Sequence, residues 1–187
     1  GIAHALATRL QALGHEVALL ALMDAYPSDI WHGKPPPTLR DALVALLDVV
    51  GASEFDATGN PLPAPALMQA LLAPGSTLAH VGEAQLQRIA CCALHTMQIY
   101  RDLQHQPFNG DMLFFHALQR KPDAPDWRGW QPYVRGRIAR IDIDSNHNGM
   151  SLPAPLAHIG RVLANKLHSL AAQSRQYQQP QHQLEVE

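Results

Sequence analysis

The segment from Val17 to Met23 constrains the fold most, because it is an unbroken apolar run that ends directly at an acid, Asp24. Such a run without period-2 alternation is typical of a parallel strand that is covered on both faces. An acid directly after such a strand lies at the edge of the sheet where open α/β folds build their sites. Burying a lone carboxylate there is costly unless another group pairs with it. We therefore expect Asp24 to have a partner at this edge of the sheet.

The candidate partner is His147, which follows a second strand-like segment at residues 137–143. Isoleucines alternate with charged residues in that segment, which predicts an outer strand of the sheet. An acid and a histidine, each after a strand and in this order, match the last two members of a Ser…Asp…His triad, whose serine would precede residue 1. His116 is a rival base, but it lies inside the strand-like run 111–118, which favours a packed histidine of the core or its rim.

Helical segments are predicted on both sides of these strands. The helix predicted over residues 2–13 ends at Gly14, and with the strand after it forms half of a right-handed β-α-β crossover. A further helix is predicted over 156–170, and the Gln-rich residues 173–187 are expected to fray. The apolar face of the first helix is predicted to consist of Ile2, Leu6, Leu10 and Leu13. Three more helices, at 39–50, 66–73 and about 83–104, are predicted to form a lid or subdomain inserted between strands.

The composition excludes several classes of function. Of the 187 residues 47% are hydrophobic and 16% charged, with a net charge of −2 and no basic block, so nothing supports a nucleic acid or a membrane as a partner. No signal peptide is expected at Gly1, because the chain opens directly into helical sequence. Cys91 and Cys92 are adjacent, so they make no disulfide framework, and their place in a helix predicts buried core thiols. These features favour a reducing, cytoplasmic setting.

Two other patterns offer alternative functions. Residues 144–149 read D-x-N-x-N-G, the first half of a calcium-binding EF-hand loop, but the twelfth position is Pro155 instead of Glu and a strand precedes the loop. A turn that swings His147 over the edge of the sheet explains these residues better, and no metal site is expected. The tryptophans Trp31, Trp127 and Trp130 are either the lining of an acyl pocket or aromatic anchors for a loop.

With these residues in hand, the chain resembles the C-terminal thioesterase domain of nonribosomal peptide synthetases, a member of the α/β-hydrolase family. Its specific features are ALLALMDAYP at 18–27, the helical insertion after it, DMLFFHA at 111–117, the W-x-x-Y of Trp130 to Tyr133, and a histidine after the last strand. The match extends over nearly the whole chain, from helix 2–13 to helix 156–170.

The resemblance implies a fold and a set of roles. Residues 1–24 and 108–172 correspond to the α/β-hydrolase core, residues 25–107 to a helical lid, and residues 173–187 to a flexible tail. Asp24 would be the acid of the triad and His147 the general base. Members of the family have a G-x-S-x-G-G nucleophile elbow directly before the first helix. The nucleophilic serine is therefore expected three or four residues upstream of Gly1, and the chain as given lacks it.

The reaction implied by the resemblance releases a peptidyl or acyl chain from the phosphopantetheine thioester of a carrier-protein domain, the expected partner. Water or an internal nucleophile completes the release, so the product is either hydrolysed or cyclised, and no cofactor is bound directly. Two alternatives stay open at this point: a polyketide-type or other acyl hydrolase of the same fold, and a catalytically dead fragment that binds the carrier protein. A serine upstream favours an enzyme, and a substituted serine favours the binding role.

Overall fold

The computed structural model describes residues 1–178 and places five α-helices and three β-strands in that range. In chain order these are α1 (Ile2–Ala12), β1 (Leu20–Met23), α2 (Leu39–Val50), α3 (Ala64–Leu71), α4 (Glu83–Asp102), β2 (Met112–Ala117), β3 (Ile138–Ile143) and α5 (Pro153–Gln178). Two compact units share the chain. The helical unit consists of Gly1 and residues 27–105, and the sheet unit consists of residues 2–26 and those from 106 onward.

The three strands form one parallel sheet in the order β1-β2-β3. In the register of the sheet, Leu20 pairs with Met112, and Met112 pairs in turn with Ile138. All six residues of β2 are buried, as expected for the central strand of a sheet with two covered faces. Because the strands are parallel, their carboxyl ends meet at one edge of the sheet.

Alternation along β2 divides the core of the sheet unit into two layers. Side chains of a strand point to opposite faces in turn, so Phe114 belongs to the layer that contains Ala7 of α1, and Phe115 to the layer that contains Ile159 of α5. Helices α1 and α5 therefore cover opposite faces of the sheet. The first layer also contains Trp130, which is fully buried.

The apolar face predicted for α1 is wrong. Ile2 and Leu6 are 63% and 59% exposed, whereas His4 and Ala7 are the buried positions of this helix. His4 packs against the ring of Trp130 at 4.7 Å and its Nε2–H donates to the carbonyl of Tyr133 at 2.8 Å. A polar side chain thus faces the core because the backbone opposite it offers an acceptor, which no apolar periodicity could indicate.

Strand β1 is shorter and less covered than its sequence predicts. Pairing begins only at Leu20, and within residues 1–178 the ladder of β1 connects it to β2 alone. Leu20 and Leu22 are buried on one face, while Met23 is 40% exposed. At the other end of the chain, α5 continues to Gln178, past residue 173, where the flexible tail was expected to begin. The rest of that predicted tail, residues 179–187, lies outside the described part of the chain.

The helical unit has a hydrophobic core of its own, built around a cluster of buried side chains from α2, α3 and α4. They are Leu43, Leu47, Leu67, Leu71, Leu86 and Ala90. The prediction of buried cysteines is wrong, because Cys91 and Cys92 are both exposed. The buried face of α4 follows Leu86 and Ala90, four residues apart, and the cysteines lie outside that stripe. Across residues 1–178, no helix combines the length and the apolar character that crossing a membrane requires.

Helix α2 is delimited by two local signals in the sequence. The Thr38 side chain accepts a hydrogen bond from the Asp41 amide, and the Asp41 carboxylate accepts one from the Thr38 amide at 2.7 Å, which makes a capping box. Gly51 ends the helix with a left-handed φ of 73°, a conformation that costs glycine little.

We predict that Thr38→Ala lowers the free energy of unfolding of the helical unit by about 1 kcal/mol, because the first turn of α2 loses its side-chain cap. Thr96→Ala is the matched control. Thr96 is also exposed but lies inside α4, where its hydroxyl donates to the carbonyl of Cys92, and alanine favours a helix interior. Urea denaturation of both variants checks this, and an equal loss in the two would contradict the capping role.

Candidate active site at the carboxyl edge of the sheet

The carboxyl edge of the sheet brings Asp24 and His147 together. Asp24 directly follows β1 and His147 lies in the loop after β3, so the two flank the end of the central strand. His147 Nδ1 stands 3.1 Å from Asp24 Oδ2, within hydrogen-bonding distance. The Asp24 side chain is only 7% exposed and that of His147 is 63% exposed. A buried carboxylate therefore contacts an imidazole that reaches into solvent.

The backbone of Asp24 turns sharply at this point. Its φ of 43° is the only positive value at a non-glycine residue in the described part of the chain. Aspartate tolerates this left-handed conformation better than bulky or branched residues do. The Asp24 amide still donates to the carbonyl of Phe115 at 2.8 Å, so the turn begins where β1 stops pairing. Backbone strain of this kind concentrates at functional sites.

The two carboxylate oxygens of Asp24 have different partners. Oδ1 accepts a hydrogen bond from the Tyr26 hydroxyl at 2.5 Å and another from the Ala117 amide at 3.3 Å. Oδ2 faces His147. Hydrogen bonds to an ionised acceptor are stronger than those between neutral groups, so these contacts offset the cost of burying the charge.

The same contacts control ionisation at the site. Burial pushes the pKa of Asp24 upward, but the hydrogen bonds from His147, Tyr26 and the Ala117 amide outweigh it and hold this pKa below its usual value. Burial and the neighbouring carboxylate together raise the pKa of Tyr26. At neutral pH the site therefore contains a carboxylate at Asp24 and a protonated hydroxyl at Tyr26.

His116, the rival base in the sequence, lies near the same carboxylate but is not hydrogen-bonded to it. It is buried near the end of β2, and its Nδ1 stands 3.8 Å from Asp24 Oδ1. One guanidinium nitrogen of Arg120 is 3.1 and 3.2 Å from the two ring nitrogens, so it lies over the ring and not in its plane. Burial, with the positive charges of Arg120 and Arg140, lowers the pKa of His116 and keeps it neutral at pH 7.

The loop that presents His147 is held by its own turn residues. The Gly149 amide donates to Asn146 Oδ1 at 2.7 Å, the Ser145 hydroxyl donates to the carbonyl of Asn146, and the Gln119 amide donates to the carbonyl of Ser145. The D-x-N-x-N-G pattern thus makes a turn here. Within residues 1–178, no group of three or more His, Cys, Asp or Glu side chains is arranged to hold a metal ion.

The tryptophans take separate places. Trp130 is fully buried, and its Nε1–H donates to the carbonyl of Ala25 at 2.7 Å, which anchors the residue next to Asp24. Trp127 packs against the same core layer. Trp31 is 43% exposed in the helical unit, with the Lys34 ammonium 4.7 Å from its ring centre. Sequence reasoning did not single out Tyr26, although its position two residues after a candidate acid was a usable signal.

We predict that Gly149→Ala disturbs the His147 loop, because a Cβ at this position would overlap Ser145 Oγ and stand 3.0 Å from Asn146 Oδ1. The variant should lose roughly 1–2 kcal/mol of stability and shift the ring signals of His147 in proton NMR spectra. Gly160→Ala is the matched control, since a Cβ there meets nothing within 4 Å and lies in helix α5. The control should be neutral or stabilising, and equal effects in both variants would contradict the role of Gly149.

We predict that Asp24 makes stability depend on pH in the acid range. Its folded-state pKa lies below the ordinary value of 3.8, so the stability that its charge contributes is present above about pH 4 and is lost as pH falls through the folded pKa. The difference in unfolding free energy between wild type and Asp24→Asn should therefore shrink from pH 6 to pH 2. A difference that stays constant over this range would contradict the prediction.

Comparison with known proteins finds relatives of this chain. No model of a known protein family matches it. A dimodular nonribosomal peptide synthase of Bacillus subtilis (strain 168) is 36% identical over 176 residues, which is 90% of this chain and 7% of that protein. Malpibaldin synthetase of Mortierella alpina is 27% identical over 89% of this chain and 3% of its own length. The chain spans less than a tenth of the curated relatives that it matches.

Solved structures share the fold. The Vlm2 thioesterase domain, bound with a dodecadepsipeptide, superimposes with a TM-score of 0.57 at 20% identity, over 87% of this chain and 60% of that one. The thioesterase domain SrfTE, which cyclises the lipopeptide antibiotic surfactin, gives a TM-score of 0.56 at 17% identity, over 89% of this chain and 62% of that one. These likenesses confirm the predicted α/β-hydrolase fold class.

Proposed function

We propose that this chain supplies the acid and base of a thioesterase. It is homologous to nonribosomal peptide synthetases over 90% of its length, and it has the fold of their thioesterase domains. The reaction is release of a peptidyl or acyl chain from a carrier-protein thioester. The observation that carries this proposal is the 3.1 Å contact between Asp24 and His147 at the carboxyl edge of the sheet.

In the proposed mechanism His147 is the general base. Its Nδ1–H donates to Asp24 Oδ2, which sets the tautomer and leaves Nε2 to take the proton of a nucleophilic serine located upstream of Gly1. The serine oxygen attacks the thioester carbonyl, and the phosphopantetheine thiol leaves with the proton that His147 returns. Water or an internal amine or hydroxyl then attacks the acyl-serine by the same proton relay.

Asp24 stabilises the imidazolium that forms in each half of the reaction. A carboxylate does this only while ionised, and the hydrogen bonds that lower the pKa of Asp24 keep it so at neutral pH. Burial and Arg120 lower the pKa of His116, which is not hydrogen-bonded to Asp24, whereas His147 faces Oδ2 at 3.1 Å. The difference between the two histidines supports the choice of His147 as base.

The substrate and the partner follow from the same proposal. The acyl chain arrives on the phosphopantetheine arm of a carrier-protein domain, and the enzyme binds no cofactor of its own. Residues 25–107 act as the lid over the acyl chain, in line with the separate helical core of residues 27–105. Residues 1–24 and 108–172 act as the hydrolase core.

We predict that Asp24→Asn and His147→Ala, made in the natural full-length polypeptide, each lower thioester turnover by roughly a thousandfold or more, since each removes one member of the proton relay. Release of thiol from an acyl N-acetylcysteamine thioester measures the rate. Asp123→Asn and His158→Ala, at exposed positions, are the matched controls and should keep the wild-type rate.

Wild-type turnover in either test variant would remove that residue from the triad. Mass spectrometry of the wild-type protein should detect an acyl group on a serine upstream of Gly1. An inert residue at that position would instead favour a carrier-binding role without catalysis.

A further inference from the structure

We propose that Tyr26 is a positioning residue, whose hydroxyl holds Oδ1 of Asp24 so that Oδ2 is the oxygen presented to His147. This inference rests on the proposed function, because it assigns a residue that acts on the triad acid. Tyr26 touches neither the reacting serine nor the substrate in that mechanism, and it acts through Asp24.

The geometry of the carboxylate carries the argument. A carboxylate can rotate about its Cβ–Cγ bond, and a partial rotation would take the oxygen that faces His147 out of line with the imidazole. Two donors oppose that rotation at Oδ1: the Tyr26 hydroxyl at 2.5 Å and the Ala117 amide at 3.3 Å. The shorter bond comes from Tyr26, so its hydroxyl is the main restraint on the orientation of the carboxylate.

Tyr26 is itself held in place. Its ring packs against Phe114 of β2 with the centroids 5.6 Å apart, and the Arg120 guanidinium carbon lies 5.2 Å from its ring centre. The backbone between Asp24 and Tyr26 is fixed by Trp130, which donates to the carbonyl of Ala25. The position and direction of the Tyr26 hydroxyl are therefore restrained, as a positioning role requires.

Asp24 also has a competing partner that makes such a restraint necessary. The titratable groups that face it are His147 from the loop after β3, Tyr26 from its own segment and His116 from β2. His116 Nδ1 is only 3.8 Å from Oδ1, the same oxygen that Tyr26 occupies. With the hydroxyl bound there, the carboxylate is directed to His147.

The test compares Tyr26→Phe with wild type in the natural full-length polypeptide, using the acyl N-acetylcysteamine thioester as substrate. Phenylalanine keeps the ring and its packing but removes the hydroxyl. We expect kcat to fall by roughly tenfold to a hundredfold with KM unchanged, because orientation of the base is lost while substrate contacts remain.

The pH profile separates positioning from packing. Without the hydroxyl, Asp24 is free to turn away from His147 and stabilises its imidazolium less, so the acid limb of kcat/KM should move to lower pH. Tyr133→Phe is the matched control, because Tyr133 packs against the same core layer but makes no hydrogen bond to Asp24, and its acid limb should not move.

Three outcomes would overturn the proposal. Tyr26→Phe could keep the wild-type kcat, it could lose activity to the same extent as Tyr133→Phe, or its acid limb could stay in place or move to higher pH. If Asp24→Asn lowers kcat in the same assay, each of these outcomes defeats only the role of Tyr26. A wild-type rate for Asp24→Asn would defeat the proposed function and, with it, the positioning role.

Discussion

The buried charge of Asp24 is the constraint on which the rest of the site depends. A carboxylate that is only 7% exposed needs donors on both oxygens, and the structure supplies them from three separate parts of the chain. Tyr26 comes from the same segment, the Ala117 amide from the end of β2, and His147 from the loop after β3. The parallel pairing of the strands brings the Ala117 amide and His147 within reach of Asp24, so the sheet and the site form together.

That pairing depends on an all-buried central strand. β2 sends alternate side chains into two apolar layers, which α1 and α5 cover from opposite faces. The arrangement lets both neighbours of β2 end beside it, where Asp24 and His147 stand. The register of three short strands therefore places Asp24 and the loop of His147 at the same edge of the sheet.

The helical unit is stabilised by a separate hydrophobic core. The buried side chains of its core come from its own helices, and local caps such as Thr38 and Gly51 delimit one of them. A segment with its own core can differ in sequence from one relative to another without disturbing the sheet. In the proposed thioesterase this unit is the proposed lid.

The sequence alone determined that an apolar strand ends at Asp24, that His147 follows a later strand, that helices occupy the insertion and that the fold class is an α/β-hydrolase. These features are local, or they are short motifs in chain order. Their roles in catalysis stay predictions. Only the tertiary structure decided that His4 is buried, that Cys91 and Cys92 are exposed, and that the Tyr26 hydroxyl reaches Oδ1 of Asp24. Such facts depend on what lies opposite each residue in space, and periodicity along one element carries no information about that neighbour.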